Sequence, residues 1–280
     1  MDPLQFLTSA NLAVVAGKGG VGKTTVTAVL ARAAIRRGLR VLVVELDGKP
    51  HLARLLPDVE VLSLSASAAL AEYLDTHGLS RVTRRLVNSG VIDVVATASP
   101  GIDDIVVLGK IKQLEQSGNY DLIVVDGPAA GHAITFLLAA KSLLTSVRGG
   151  PIHSQAVDVA AMLADPARSQ VVMVTLPETT PINEAAETAY ALEDRVGVHL
   201  APIVVNGVDA GPTLDPTAAP DGSPQRLAAE FRNARRVLHE AACCDLGDMI
   251  GLPQLILPHL PGSALDADSI DRLADEWDAP

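Results

Sequence analysis

A chain of 280 residues with a formal net charge of −11 and 2% aromatic residues excludes several classes at once. Broad adhesion to nucleic acid or anionic lipid needs a basic face that this balance opposes, and no apolar run approaches the roughly 18 residues a membrane helix requires. With 48% apolar residues the core must be filled by Ala, Val, Leu and Ile, a mixture suited to a parallel sheet covered by helices. Length allows one or two domains, and a single domain over residues 1–280 is expected. The first 11 residues carry no basic residue ahead of their short apolar patch; they do not read as a secretory signal, so a cytoplasmic chain with no stable membrane anchor is expected.

The apolar run Leu12, Ala13, Val14, Val15, Ala16 reads as a strand, and residues 25–37 as a helix. Between them stands Gly17-Lys18-Gly19-Gly20-Val21-Gly22-Lys23-Thr24. Glycines let successive backbone N–H groups close on a phosphate, and the helix N-terminus adds unpaired donors and its positive dipole end. Lys23 is expected to reach the β- and γ-phosphates and Thr24 to ligate a bridging Mg²⁺. The spacing G-x-x-x-x-G-K-T has a chance probability on the order of 1% in a chain of this length, so nucleotide binding is the strong expectation. Lys18 is not needed to cradle a phosphate in its own subunit, because Lys23 already does that; a solvated lysine on an exposed loop is the plain alternative.

Residues 41–46 read as a buried strand, which places Asp47 just past its carboxyl end, where open α/β sheets bind ligands; an ordinary Asp-Gly turn is the alternative. Short helices are expected over 68–75 and 80–87, strand or loop over 59–64, a strand over 91–96 and a helix over 102–116. Asp121-Leu122-Ile123-Val124-Val125-Asp126 has the Walker B form, an apolar strand ending in a carboxylate able to orient the water shell of Mg²⁺. Further strands are expected over 170–176, 201–206 and 254–257, and helices over 133–146, 155–164, 182–195, 224–242 and 265–277. The alternation predicts an α/β fold: a doubly wound, mainly parallel sheet with helices on both faces. Residues 207–223, rich in Gly, Pro and Asp, read as the most mobile surface segment. The acidic balance leaves room for a local basic patch around Arg232, Arg235 and Arg236. The only cysteines, Cys243 and Cys244, are adjacent, which fits neither a disulfide scaffold nor zinc-site spacing.

The two-lysine loop resembles the deviant Walker A loop of P-loop NTPases of the SIMIBI type. Asp126 followed by Gly127-Pro128-Ala129-Ala130-Gly131-His132 resembles the second switch of the arsenical-pump and tail-anchored-protein-targeting ATPase family, with its bacterial "anion-transporting ATPase" relatives. Glu45-Leu46-Asp47-Gly48, Leu176-Pro177-Glu178, Val204-Val205-Asn206 and Leu257-Pro258-His259-Leu260-Pro261 match the same family in the same order.

That resemblance implies an ATP-hydrolysing dimeric switch coupling nucleotide state to a client protein or small molecule. Gly17, Gly19, Gly20, Val21, Gly22, Lys23, Thr24 and Thr25 would hold the phosphates of ATP, Asn206 would recognise adenine with Pro258 nearby, and Thr24 and Asp126 would serve Mg²⁺. Asp47 would orient the attacking water, and Lys18 would reach the partner subunit's nucleotide. Helical segments at about 49–90 and 141–165 are the candidate client or partner region. Many relatives carry Asp-Pro-Ala in the first switch where this chain has Asp47-Gly48-Lys49. That departure keeps open a catalytically weak regulatory subunit in a heterodimer with a paralogous ATPase. A spatial organiser of the chromosome-partitioning type is the third reading. The single cysteine pair disfavours both an arsenite site and a zinc-clamped dimer.

Overall fold

A computed structural model describes residues 4–46, 51–76, 101–262 and 264–278. Asp47, the helix expected over 80–87 and the strand expected over 91–96 lie outside the described residues. In chain order the elements are α1 (Phe6–Ser9), β1 (Leu12–Gly17), α2 (Lys23–Arg36), β2 (Val41–Glu45), α3 (Leu52–Leu55), β3 (Glu60–Ser63), α4 (Ala66–Thr76) and α5 (Ile102–Gln116). They continue with β4 (Leu122–Ala129), α6 (Ala130–Ser146), α7 (Pro151–Ala164), β5 (Ser169–Thr175), α8 (Thr179–Ala191) and its π-helical extension Leu192–Val196. Last come β6 (Ile203–Val208), α9 (Pro224–Met249), β7 (Gln254–Pro258) and α10 (Ala267–Asp278).

The strands form one sheet in the order β3-β2-β4-β1-β5-β6-β7, parallel at every described pairing. From β1 the chain winds outward through β2 and β3, returns through β4, and then winds outward on the other side of β1 through β5, β6 and β7, which is double winding: helices cover one face, then the other. The apolar runs are continuous because both faces are covered. Leu12, Val14 and Ala16 point into the core under α5, α6 and α7, while Ala13 and Val15 point into the core under α2 and α10. The second core is tied by Arg32 of α2, whose guanidinium bonds Asp58 at 2.8 Å and lies 2.9 Å from Asp271. No described helix is long and apolar enough to cross a membrane.

Residues 207–223 contact α9: Asn233 exchanges hydrogen bonds with both backbone groups of Leu214, and Arg236 donates to the Gly211 carbonyl at 2.7 Å. The basic patch is consumed internally. Arg232 and Arg235 both grip the buried Asp209 just past β6, and Arg236 pairs with Glu240. These two guanidiniums hold the Asp209 carboxyl at about 2, well below the usual aspartate range.

Candidate nucleotide site

Helix α2 begins on Lys23, earlier than its apolar period suggested, with Gly22 before it at φ 89°. That conformation is open to glycine at little cost, and a Cβ there would also stand 2.2 Å from Asn206 Nδ2. At the other end of the loop, a Cβ on Gly17 would lie 2.4 Å from the Val174 carbonyl of the adjacent strand. The loop therefore presents backbone, not side chains, at both of its ends. Its exposed segment Lys18, Gly19, Gly20 and the first turn of α2 offer N–H groups to an anion. Lys23 curls over the loop, its Nζ donating to the Lys18 carbonyl at 3.2 Å. Val21 is buried and pins the loop to the core.

Asp126 comes to the loop because β4 pairs with β1 in a register that sets Asp126 against Val15. Thr24 Oγ1 donates to Asp126 Oδ2 at 2.8 Å, and Thr27 Oγ1 donates to Oδ1 at 3.3 Å. Burial raises the Asp126 carboxyl above the ordinary aspartate range; the bonds from Thr24 and Thr27 and the charge of Lys23 act against this, and Glu45 adds to it. Glu45 is itself buried, directly paired with Asp126 across the β2–β4 ladder. Two neighbouring acids at a buried strand edge, with a hydroxyl between loop and strand, form an all-oxygen donor set that fits a hard cation such as Mg²⁺. The sequence reading missed Thr27 and Glu45. Thr27 lies one turn beyond Thr24 on the same helix face, and Glu45 is an acid closing an apolar strand, as Asp126 is.

Asn206 lies near the end of β6 and donates through Nδ2 to the Val21 carbonyl at 2.9 Å. It thereby joins the loop to a cavity of about 380 Å³ lined by Thr25, Leu176, Asn206, Pro258, Leu260 and Arg272. Its Oδ1 and second Nδ2 proton keep one acceptor and one donor for a base edge. Thr25, Asn206 and Pro258 are thus gathered beside the phosphate loop, in a space within the size range of small-molecule sites.

Lys18 goes elsewhere. Its ammonium pairs with Glu184 on α8. A larger cavity, about 520 Å³, lies between α5 and α6 against the segment that follows Asp126, lined among others by Leu46, Asp104, Pro128, His132 and Phe136. Burial pushes the Asp104 carboxyl up to about 6, Asp103 adds to this and His132 opposes it.

A profile of the family described as "Anion-transporting ATPase" matches residues 10–148, the stretch holding the loop, β4 and α6. The chain is 28% identical to "ATPase BagA" of Mycobacterium tuberculosis, with 96% of this chain and 93% of that protein covered. It is 28% identical to the "Arsenical pump-driving ATPase" of Acidiphilium multivorum, over 81% of this chain and 40% of the relative. It is 32% identical to "ATPase get3" of Schizosaccharomyces japonicus, over 55% of this chain and 54% of the relative.

Proposed function

The chain belongs to the anion-transporting ATPase family and is an ATPase, and from that premise we propose that it works as a cytoplasmic, Mg²⁺-dependent two-subunit switch whose ATP state controls the handling of a client. The observation that carries the reading is the divergence of the two loop lysines. Lys23 lies along its own phosphate loop, whereas Lys18 leaves that loop for Glu184 on a neighbouring helix. A lysine so placed is available to another subunit's phosphates.

The backbone of Gly17, Gly19, Gly20, Val21 and Gly22, with Lys23, would hold the β- and γ-phosphates, and Thr25 with Asn206 and Pro258 would seat the nucleoside. Thr24 and Asp126 would hold Mg²⁺, which when bound offsets charge on the transferred phosphoryl group. Asp47 would orient water, and Lys18 of the facing subunit would offset developing charge from outside. Phosphoryl transfer asks little covalent chemistry of side chains, so positioning and charge are the protein's contribution. The helical segments near 49–90 and 141–165 remain the proposed client or partner region within one domain, and the cavity against His132 is the route by which they could sense the second switch. The Asp47-Gly48-Lys49 departure favours, as a second reading, a weak ATPase activated by a paralogous partner.

The test is complementation. Lys18→Ala binds ATP but cannot serve a neighbour; Lys23→Ala binds poorly but retains Lys18. Each alone is expected to be inactive, and the mixture to regain turnover through one intact shared site. A mixture as inactive as its components, or a Lys18→Ala chain with normal turnover, overturns the shared-site reading.

A further inference from the structure

Along the outer face of α9, Leu227, Phe231, Val237 and Leu238 are exposed at 58%, 68%, 63% and 67%. Large apolar side chains gathered on one surface mark a contact, unlike those scattered singly. Leu227, Phe231, Ala234, Leu238 and Ala241 follow at intervals of four, three, four and three, so they form one stripe along the helix, and all five are exposed. The helix is held to the domain by its buried residues Ala229, His239, Ala242 and Leu246, which lie beside the stripe and behind it.

Arg232 and Arg235 bind Asp209, directly after β6, which fixes the first half of α9 at the carboxyl edge of the sheet, where the phosphate loop also lies. α9 packs on α8, the helix whose Glu184 receives Lys18. The stripe is therefore on an element adjoining the one that holds the loop lysine.

We propose that this stripe is the contact for a second copy of the chain, the two α9 helices lying antiparallel across a two-fold axis near Ala234. It deepens the proposed function and rests on it, naming a surface through which the two subunits meet. A two-fold contact requires a patch complementary to itself. Reversed about Ala234, the stripe sets Leu227 against Ala241 and Phe231 against Val237 and Leu238, while the two Ala234 residues allow the helices to approach closely. Large meets small at the ends and large meets large beside the small centre.

Other occupants fit less well. Neither cavity described above is lined by α9, so the stripe does not open into a site of the helix-in-groove kind among them. The four arginines of α9 are taken up by Glu230, Glu240, Asp209 and Asp221, which leaves no unpaired basic rim of the kind that seats an apolar helix face on an anionic membrane. Four large side chains at these exposures present on the order of 400 Å², about half of the roughly 800 Å² per partner of a standard interface. The remainder must come from adjoining surface, and the phosphate-loop edge adjoins it.

The experiment uses the full chain with Cys243→Ser and Cys244→Ser, so that Ala234→Cys supplies its only thiol. Mild oxidation with ATP and Mg²⁺ is expected to give mostly covalent dimer, because the two introduced thiols would face each other at the axis. Leu227→Cys alone should not cross-link, whereas Leu227→Cys with Ala241→Cys should. In the otherwise native chain, Phe231→Glu and Leu238→Glu should weaken dimerisation at least tenfold by light scattering, with unchanged circular dichroism. A dimer of correct mass without the Ala234→Cys cross-link overturns the proposal. So does a chain that stays monomeric in every nucleotide state, or glutamate variants that lose binding to vesicles or to an apolar helical peptide while dimerising normally. If the lysine variants complement but Ala234→Cys fails, the shared site stands and this surface falls; with cross-linking but no complementation, the surface stands and the shared site falls.

Discussion

Glu184, on the second turn of α8, holds the ammonium of Lys18 and keeps it away from the phosphate cradle of its own loop. Both side chains are partly open to solvent, at 55% and 33%. Such a pair is worth at most about 1 kcal/mol, a restraint that binding to another subunit can overcome. Glu184→Gln is therefore expected to raise turnover at limiting protein concentration by no more than about fivefold, with little change at saturation. An ATPase series over protein concentration checks this; a loss of activity would mean that Glu184 serves the assembled site rather than restraining Lys18.

The contact of Thr24 and Asp126 makes a second expectation. Asp126→Asn keeps the shape of the buried side chain and removes its charge, so it should reduce turnover by about a hundredfold or more while leaving metal-free nucleotide binding within a few-fold of native. Titration of turnover and of nucleotide affinity against Mg²⁺ separates the two effects. Equal loss of both would place Asp126 in the frame of the loop instead of at the metal.

Asp104 gives a pH signature. Its folded carboxyl titrates at about 6, above the unfolded value near 3.9. Below about pH 4 both states are protonated and Asp104 costs nothing. As pH rises toward and through 6 the unfolded chain ionises first, so native stability falls, and the loss is complete above that range. Asp104→Asn should thus stabilise the protein at pH 7 by about 1 kcal/mol, after allowance for partial exposure to water, and should have no such effect at pH 4. Urea denaturation at both values measures it.

Asp209 works in the opposite direction. Its folded carboxyl sits at about 2, so its contribution is present above about pH 4 and lost as pH falls through 2. Asp209→Asn leaves Arg232 and Arg235 without their shared carboxylate and should cost about 2 kcal/mol near neutrality. It should also loosen the first turns of α9, which amide hydrogen exchange would detect as faster exchange there than in β1.

How far the site could be read from the chain depended on distance along it. Gly17 to Thr24 declared a phosphate loop because strand, turn and helix lie within one short stretch and each obeys its own local rule. Asp126 was legible because an apolar strand ending in an acid is also local. Thr27 and Glu45 were not, although both meet Asp126. Their meeting depends on β2 and β1 both pairing with β4 in a particular register, which neighbouring residues do not encode. The helix boundaries erred for a related reason: α9 runs on to Met249 because Leu246 is buried, where apolar period alone ended it at 242.

The amino-acid order by itself determined a parallel α/β sheet, a backbone cradle for phosphate and a carboxylate beside it, since glycine conformations, helix ends and apolar periodicity are fixed by residues a few positions apart. Only the tertiary structure decided that Lys18 rests on Glu184, that Asp209 absorbs the arginines of the candidate basic patch, and that Leu227, Phe231 and Leu238 face outward. Each of those depends on how one element is rotated and shifted against another. That rotation is set by the packing of the whole core and by ion pairs between distant residues, so no single stretch of the chain carries it.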